Sequence, residues 1–303
     1  MRRAGTTMRK RFWNSGPLLL ILGTFFWSTN FVVGRALRTD IPPIALSFWR
    51  WTLAFLIVLP FAWRHLRRDA QPLLASWRRV LLLSALGIAI FNTLVYLGLH
   101  YTTVVNGVLM QSAMPILILV GSVLILREHV HWIRIVAVVV SLLGVLVIVA
   151  GGSLATLLAL SINPGDALIF TAVCCYAVYS LLLRGRPAVH PISLLGAMIG
   201  MGVCMLLPAY VGELVLLGPF PPTPTILGAI AYVAIFPSLV SFLFFNRAVE
   251  LIGASRAGHF LHLMPVYGSI LAAILLDERL RLFHLGGAGL IAAGILLATF
   301  AKR

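Results

Sequence analysis

Apolar residues in this chain run in stretches of about 20 with hardly a charge, separated by short polar or Pro- and Gly-rich breaks. A helix rising about 1.5 Å per residue needs about that length to cross a hydrocarbon core roughly 30 Å thick. The pattern therefore predicts ten spanning helices, at about 17–37, 44–63, 79–100, 104–126, 132–151, 165–184, 191–213, 225–247, 255–276 and 282–301. Turn residues punctuate them: Pro42-Pro43, Pro72, Asn163-Pro164-Gly165, Pro187 with Pro191, and Pro219 through Pro224. Arg9-Lys10-Arg11 precede the first stretch as they would a signal peptide. Its apolar part is longer than a signal's and no convincing small-residue cleavage site follows, so it is expected to stay as a spanning helix.

The plan of Asn106 to Gly144 returns 150 positions later, from Arg256 to Gly294. Met114-Pro115 is matched by Met264-Pro265, Leu126 by Leu276, Glu128 by Glu278 and Gly144 by Gly294, with no gap. A fainter echo at 149 pairs Gly16, Trp27 and Arg35 with Gly165, Tyr176 and Arg184. Internal similarity at a fixed spacing marks a duplicated unit, here five helices over 1–151 and five over 165–303. Five is odd, so the second copy enters the membrane from the opposite side. The expected fold is an all-α polytopic membrane protein, one membrane domain of ten transmembrane helices in two inverted five-helix repeats. Inverted repeats are a feature of secondary transporters, whose site lies near the bilayer midplane where the halves meet.

Composition agrees with a lipid solvent: 61% of the 303 residues are hydrophobic and 10% charged, against about 25% charged in a soluble domain. A net charge of +15 would point to nucleic acid in a soluble chain, but the cations sort by loop. Arg64, Arg67, Arg68, Arg78, Arg79, Arg127, Arg134, Arg184, Arg186, Arg247 and Arg256 share one side with both termini, against Arg35, Arg38, Arg279 and Arg281 on the other. Positive loops stay inside, so both ends are expected in the cytoplasm, the chain sits in the plasma membrane (a bacterial inner membrane), and no nucleic-acid partner is implied. Cys174, Cys175 and Cys204 lie in apolar stretches and have neither disulfide nor metal spacing.

FWSTNFVVGRALR in the first helix, SFWRW in the second and the corners ending at Gly144 and Gly294 resemble the EamA family of the drug/metabolite transporter superfamily, over essentially the whole chain. The resemblance implies a ten-helix inverted-repeat carrier with a central cavity, the last helix of each unit lying at the periphery. The WST of the first helix is similar to that of the YddG-type exporters, which implies export of amino acids, aromatic ones included, and of some toxic cations.

Polar residues inside a membrane are costly and turn inward to partners or water. Arg50 is the strongest case, roughly 9 Å into its helix, sharing a face with Ser47, Trp51 and Ala54. It either receives a substrate carboxylate or is structural. Trp27 and Asn30 in the first helix, Asn92 and Tyr96 in the third, Met110, Gln111 and Met114 in the fourth, Tyr176 and Tyr179 in the sixth, and Ser238 and Phe242 in the eighth complete an expected cavity. Aromatic walls with a few amides and hydroxyls suit a flat, partly apolar solute with a polar end; taken singly, each polar residue also reads as interhelical bonding. His259 and His262 are the intramembrane groups that titrate near neutrality, either a proton or substrate switch or polar packing. Pro115, Pro237 and Pro265 are expected kinks that shape or gate the cavity.

No carboxylate lies deep in any stretch, which argues against a carrier driven through a buried Asp or Glu. Facilitated exchange and a histidine-linked route stay open. No nucleophile–base pair, metal spacing or buried carboxylate pair marks an enzyme, and no cofactor is implied; no ring of charge marks a channel. The reading is a secondary transporter of small organic solutes, amino acids or related metabolites, with membrane lipid as surroundings and a monomer or weak homodimer as assembly. Organic-cation or nucleoside export on the same fold, and a non-transporting scaffold or receptor, are the alternatives.

Overall fold

The structure is a computed structural model and describes residues 11–129, 131–153, 155–156, 163–275 and 281–300. Nine helices among the described residues are long and apolar enough to cross a membrane. They are α1 (Gly16–Ala36), α2 (Pro43–Arg68), α3 (Trp77–Tyr101), α4 (Asn106–Leu124), α5 (Trp132–Val149), α6 (Pro164–Gly185), α7 (Pro191–Leu217), α8 (Pro224–Ile252) and, in the last position, α10 (Leu282–Thr299). The ninth predicted stretch, α9, is helical but broken: α over Ala254–His259, tightened to 3₁₀ over Phe260–His262, then α again over Leu263–Leu275. The corner residues Leu276 and Glu278, and the termini used to assign sidedness, lie outside the described residues.

The two Pro residues expected to kink α4 and α9 do something slightly different. The α4 segment is helical over Val104–Gln111 and again over Met114–Leu124, so Pro115 falls in the first turn of its second piece. Pro265 likewise follows the 3₁₀ turn in α9. A first helical turn has no use for the missing N–H, so Pro is tolerated there. The break, not a bend at the ring, is what the chain has built.

Helices five places apart in chain order make matching contacts. α1 packs on α8 and α6 on α3; α1 packs on the second piece of α9 and α6 on the second piece of α4. α2 pairs with its own counterpart α7, and α5 with α10. Small residues let α5 and α10 touch backbone to backbone, as membrane interfaces favour. A methyl group on Gly144 would sit 2.5 Å from the Gly287 carbonyl oxygen, and one on Gly294 would sit 2.6 Å from that of Ala137. Gly144 and Gly294 stand 150 apart in sequence, as do Ala137 and Gly287, so one contact is the other with the halves swapped. Gly286 and Gly289, by contrast, face open space.

The loops tie together in two groups, one at each end of the bundle. At one end Glu128 pairs with Arg184, and Glu250 with Arg186 and Arg247. There too the Asp69 carboxylate accepts the His190 N–H at 2.9 Å. At the other end the buried Glu213 carboxylate caps α2, accepting the N–H groups of Ile44 and Ala45 at 3.1 and 2.6 Å. Asp166 completes a capping box with Asn163 and accepts from Thr102 and Asn106. Carboxylates at helix starts are stabilised by unpaired N–H groups and the helix dipole.

Candidate functional site

Two stretches widen from α to π geometry, Ala85–Ile90 in α3 and Ala234–Val240 in α8. They stand 149 to 150 positions apart. Single π turns inside helices are frequent at functional sites, and here the reason for one is visible in the sequence. Pro237 has no N–H to give the Val233 carbonyl. In the π register the backbone N–H one residue further on serves that carbonyl, and the Ser238 hydroxyl donates to it as well, at 2.7 Å. The hydroxyl oxygen is left with lone pairs directed across the bundle, and Arg50 uses them, donating from Nε at 2.9 Å and Nη2 at 2.7 Å.

Arg50 is fully buried. Its Nη1 reaches Asn30 Oδ1 at 3.0 Å, Asn92 Oδ1 at 3.1 Å and the Tyr96 hydroxyl at 2.5 Å. Tyr96 passes its own proton to Asn30 Oδ1 at 2.8 Å. The guanidinium thus joins α1, α2, α3 and α8, and every partner is neutral. An Arg at a helix centre costs about 2.5–3.5 kcal/mol on insertion, while a hydrogen bond to a charged group contributes about 1.5–3 kcal/mol. A network of this size is enough to hold the charge in place without a carboxylate.

Beside this network Trp27 anchors an aromatic cluster. Its indole N–H donates to the Pro237 carbonyl at 3.0 Å. Its ring meets Tyr176, 149 positions on, edge-on at 5.7 Å and packs on Phe242 and Phe245 at 5.7 and 5.2 Å. Tyr179 donates to Asn246 at 2.6 Å, and its ring lies against Gly87, where any side chain would collide.

Between the network and the cluster lies a cavity of about 20 Å³ lined by Trp27, Asn30, Phe31, Phe91, Asn92, Val95, Gln111, Met114, Tyr176, Leu261 and Met264. A void that small accommodates about one water, so a solute enters only when the helices part. A smaller void of about 10 Å³ adjoins it at Gln111, Ser112 and His262. At the Arg-rich end a bowl of about 650 Å³ opens among Arg127, Glu128, His129, His131, Arg134, Arg184, Glu250 and Arg256. Gly258 packs on Ile118, with His259 and Phe260 buried beside it.

Of the residues singled out in the sequence, Trp27, Asn30, Asn92, Gln111, Met114 and Tyr176 line the cavity. Arg50, Tyr96 and Ser238 stand directly behind its wall, and His262 lines the adjoining void. Ser47 is buried and accepts from Thr93, while Tyr179 and Phe242 belong to the aromatic packing. Met110 is half-buried against the core, and His259 bonds to the Ser255 carbonyl at 2.7 Å, away from the cavity. Phe31, Phe91, Val95, Leu261 and Met264 were not singled out. Met264 had a signal, being the counterpart of Met114; Phe31 and Phe91 had only their adjacency to Asn30 and Asn92.

A bundle of apolar spanning helices around a closed central cavity with a buried polar network defines a multi-pass membrane protein of the solute-transporter type. Two stretches of the chain, residues 14–150 and 163–300, each match the EamA-like transporter family, and the chain belongs to that family, part of the drug/metabolite transporter superfamily. It is similar to the uncharacterized transporter YyaM of Bacillus subtilis (strain 168), 29% identical over 290 residues, covering 93% of this chain and 92% of that protein. An uncharacterized transporter of Archaeoglobus fulgidus is 25% identical over 286 residues, covering 93% and 98%. A solved crystal structure shares the fold with a TM-score of 0.77, at 16% identity, over 94% of this chain and 96% of its own.

Proposed function

We propose that this chain is a secondary transporter that moves small organic solutes by alternating access, and that its solutes are amino acids with aromatic or other apolar side chains, exported as by the YddG-type members. The reading takes the molecule as ten spanning helices in two inverted repeats, 1–151 and 165–303, with the Arg-rich end and both termini in the cytoplasm of a bacterial inner membrane. The observation that carries it is the meeting of counterpart residues at the cavity. Trp27 faces Tyr176, and Ser112 faces His262, as expected where two related halves close on a shared site.

Alternating access then has physical parts. The breaks before Pro115 and within α9 let half-helices tilt, and the π turns of α3 and α8 flank the solute. Since the carboxylates of the described spans, Asp166, Glu213 and Glu250, all lie near helix ends, exchange or a histidine-linked route is the expected energetics, and a monomer or weak homodimer is the expected working unit.

Counterflow of radiolabelled L-phenylalanine into proteoliposomes of the purified protein tests the reading. Saturable uptake that unlabelled aromatic amino acids compete away is the expected result. Uptake no greater than in empty liposomes across amino acids, nucleosides and organic cations removes it, and competition by organic cations alone redirects it to drug export.

A further inference from the structure

Three buried polar atoms of the cavity lining lack a partner, and each carries a proton it can donate. Asn92 Nδ2, Gln111 Nε2 and the Tyr176 hydroxyl are buried and without a partner, on residues 4%, 9% and 1% exposed that all line the void. A buried polar atom left unpaired costs about 1–3 kcal/mol, so three around one void call for an explanation. The two asparagine oxygens that face the cavity wall are already engaged. Asn30 Oδ1 receives Arg50 and Tyr96, and Asn92 Oδ1 receives Arg50. A guanidinium can only donate, which fixes the Asn92 amide with its oxygen toward Arg50 and its NH₂ group elsewhere.

From this arrangement, which rests on the transporter reading above, we propose that the cavity is a carboxylate subsite: the solute's carboxylate docks on Asn92 Nδ2, Gln111 Nε2 and Tyr176 Oη, and Arg50 acts as a positioning residue behind them. A carboxylate presents two oxygens and only accepts, which matches three unpaired buried atoms that can each donate. The field of Arg50 has the right sign, because no carboxylate among the described residues hydrogen-bonds to it or lines the cavity. The solute body then lies against Trp27, Phe91 and Met264. An organic cation of the same shape finds the aromatic faces and only the neutral oxygens of Gln111 and Tyr176, and feels Arg50 as repulsion.

The test uses three probes with one aromatic body: hydrocinnamate, L-phenylalanine and 3-phenylpropylamine. Isothermal titration on the purified protein is expected to show binding of the two carboxylates and at least tenfold weaker binding of the amine. Tyr176→Phe removes a hydroxyl that has no partner, so the fold is undisturbed, and is expected to weaken hydrocinnamate about 3- to 10-fold; Gln111→Met does the same. Asn92→Asp is isosteric, gives Arg50 a counter-ion and replaces the unused donor by an acceptor. It is expected to reverse the preference in favour of the amine, a change that a merely structural Arg50 network would not produce.

If no carboxylate binds, if the amine binds as tightly, or if Asn92→Asp leaves the preference unchanged, the subsite is overturned. Counterflow separates it from the parent reading. Binding of hydrocinnamate and L-phenylalanine with no counterflow of any amino acid, nucleoside or organic cation removes transport and leaves the subsite, whereas equal counterflow of the amine removes the subsite and leaves transport.

Discussion

Ser112 and His262 occupy equivalent positions, 150 residues apart, and they touch: His262 Nε2 lies 3.0 Å from the Ser112 carbonyl oxygen. A carbonyl cannot donate, so Nε2 carries the proton. In the neutral ring Nδ1 is then the acceptor for the Ser141 hydroxyl, 2.7 Å away. One side chain thereby joins α9 to the break in α4 and to α5. Replacing it with Ala strands a buried carbonyl, so His262→Ala is expected to lose about 1–3 kcal/mol of stability, read as a lower Tm in detergent. His262→Asn, which retains a donor, is expected to lose less.

The contacts of α10 separate its glycines into two kinds. Gly287→Ala and Gly294→Ala push a methyl into α5 and are expected to destabilise by about 1–3 kcal/mol. Gly286→Ala and Gly289→Ala meet nothing and are expected to be neutral, or to gain up to about 1 kcal/mol from helix propensity. Thermal unfolding of the four variants checks this, and a uniform response would contradict the packing described here.

Ser238 serves the Val233 carbonyl and Arg50 at once. Ser238→Ala removes the acceptor of two Arg50 N–H groups and one donor to the Val233 carbonyl, and is expected to cost about 2 kcal/mol or more, with Ser238→Thr retaining most of the stability. If the two variants melt alike, the hydroxyl is not what holds the π turn to Arg50.

His190 lies between α6 and α7, stacked on His65 with ring centroids 3.8 Å apart. Burial, then His65 and Arg68, hold its pKa below the ordinary imidazole value of 6.5, with Asp69 opposing. The folded state therefore takes up this proton less readily than the unfolded one, and its contribution to stability is lost as pH falls below 6.5. An NMR titration is expected to place the His190 midpoint below 6.5, and a midpoint above it would reverse the sign.

Much of the outline was legible in the sequence because lipid imposes it. Apolar length announces spans, and the Met-Pro and Gly correspondences between Asn106–Gly144 and Arg256–Gly294 point to the segments that pack as counterparts. The interior was less legible. Where every helix face is apolar, periodicity does not separate a residue facing lipid from one facing a neighbour, so Phe31 and Phe91 carried no mark while Met110, half-buried against the core, was picked. His259 and His262 looked alike three residues apart, yet the 3₁₀ turn at Phe260–His262 sends only His262 to the void. The π turn at Pro237 was foreshadowed by the missing N–H; that of Ala85–Ile90 contains no Pro and left no comparable trace.

One imino acid sets the electrostatics of the interior. Pro237 withholds the N–H that an α turn would give the Val233 carbonyl, the widened turn brings the Ser238 hydroxyl to that carbonyl, and the hydroxyl fixes where a permanent positive charge comes to rest. Relatives that retain every residue touching the solute but carry an ordinary amino acid at this position would point that charge elsewhere. Selectivity in such a lineage is then rewritten through the backbone, by a change remote from anything the cargo meets.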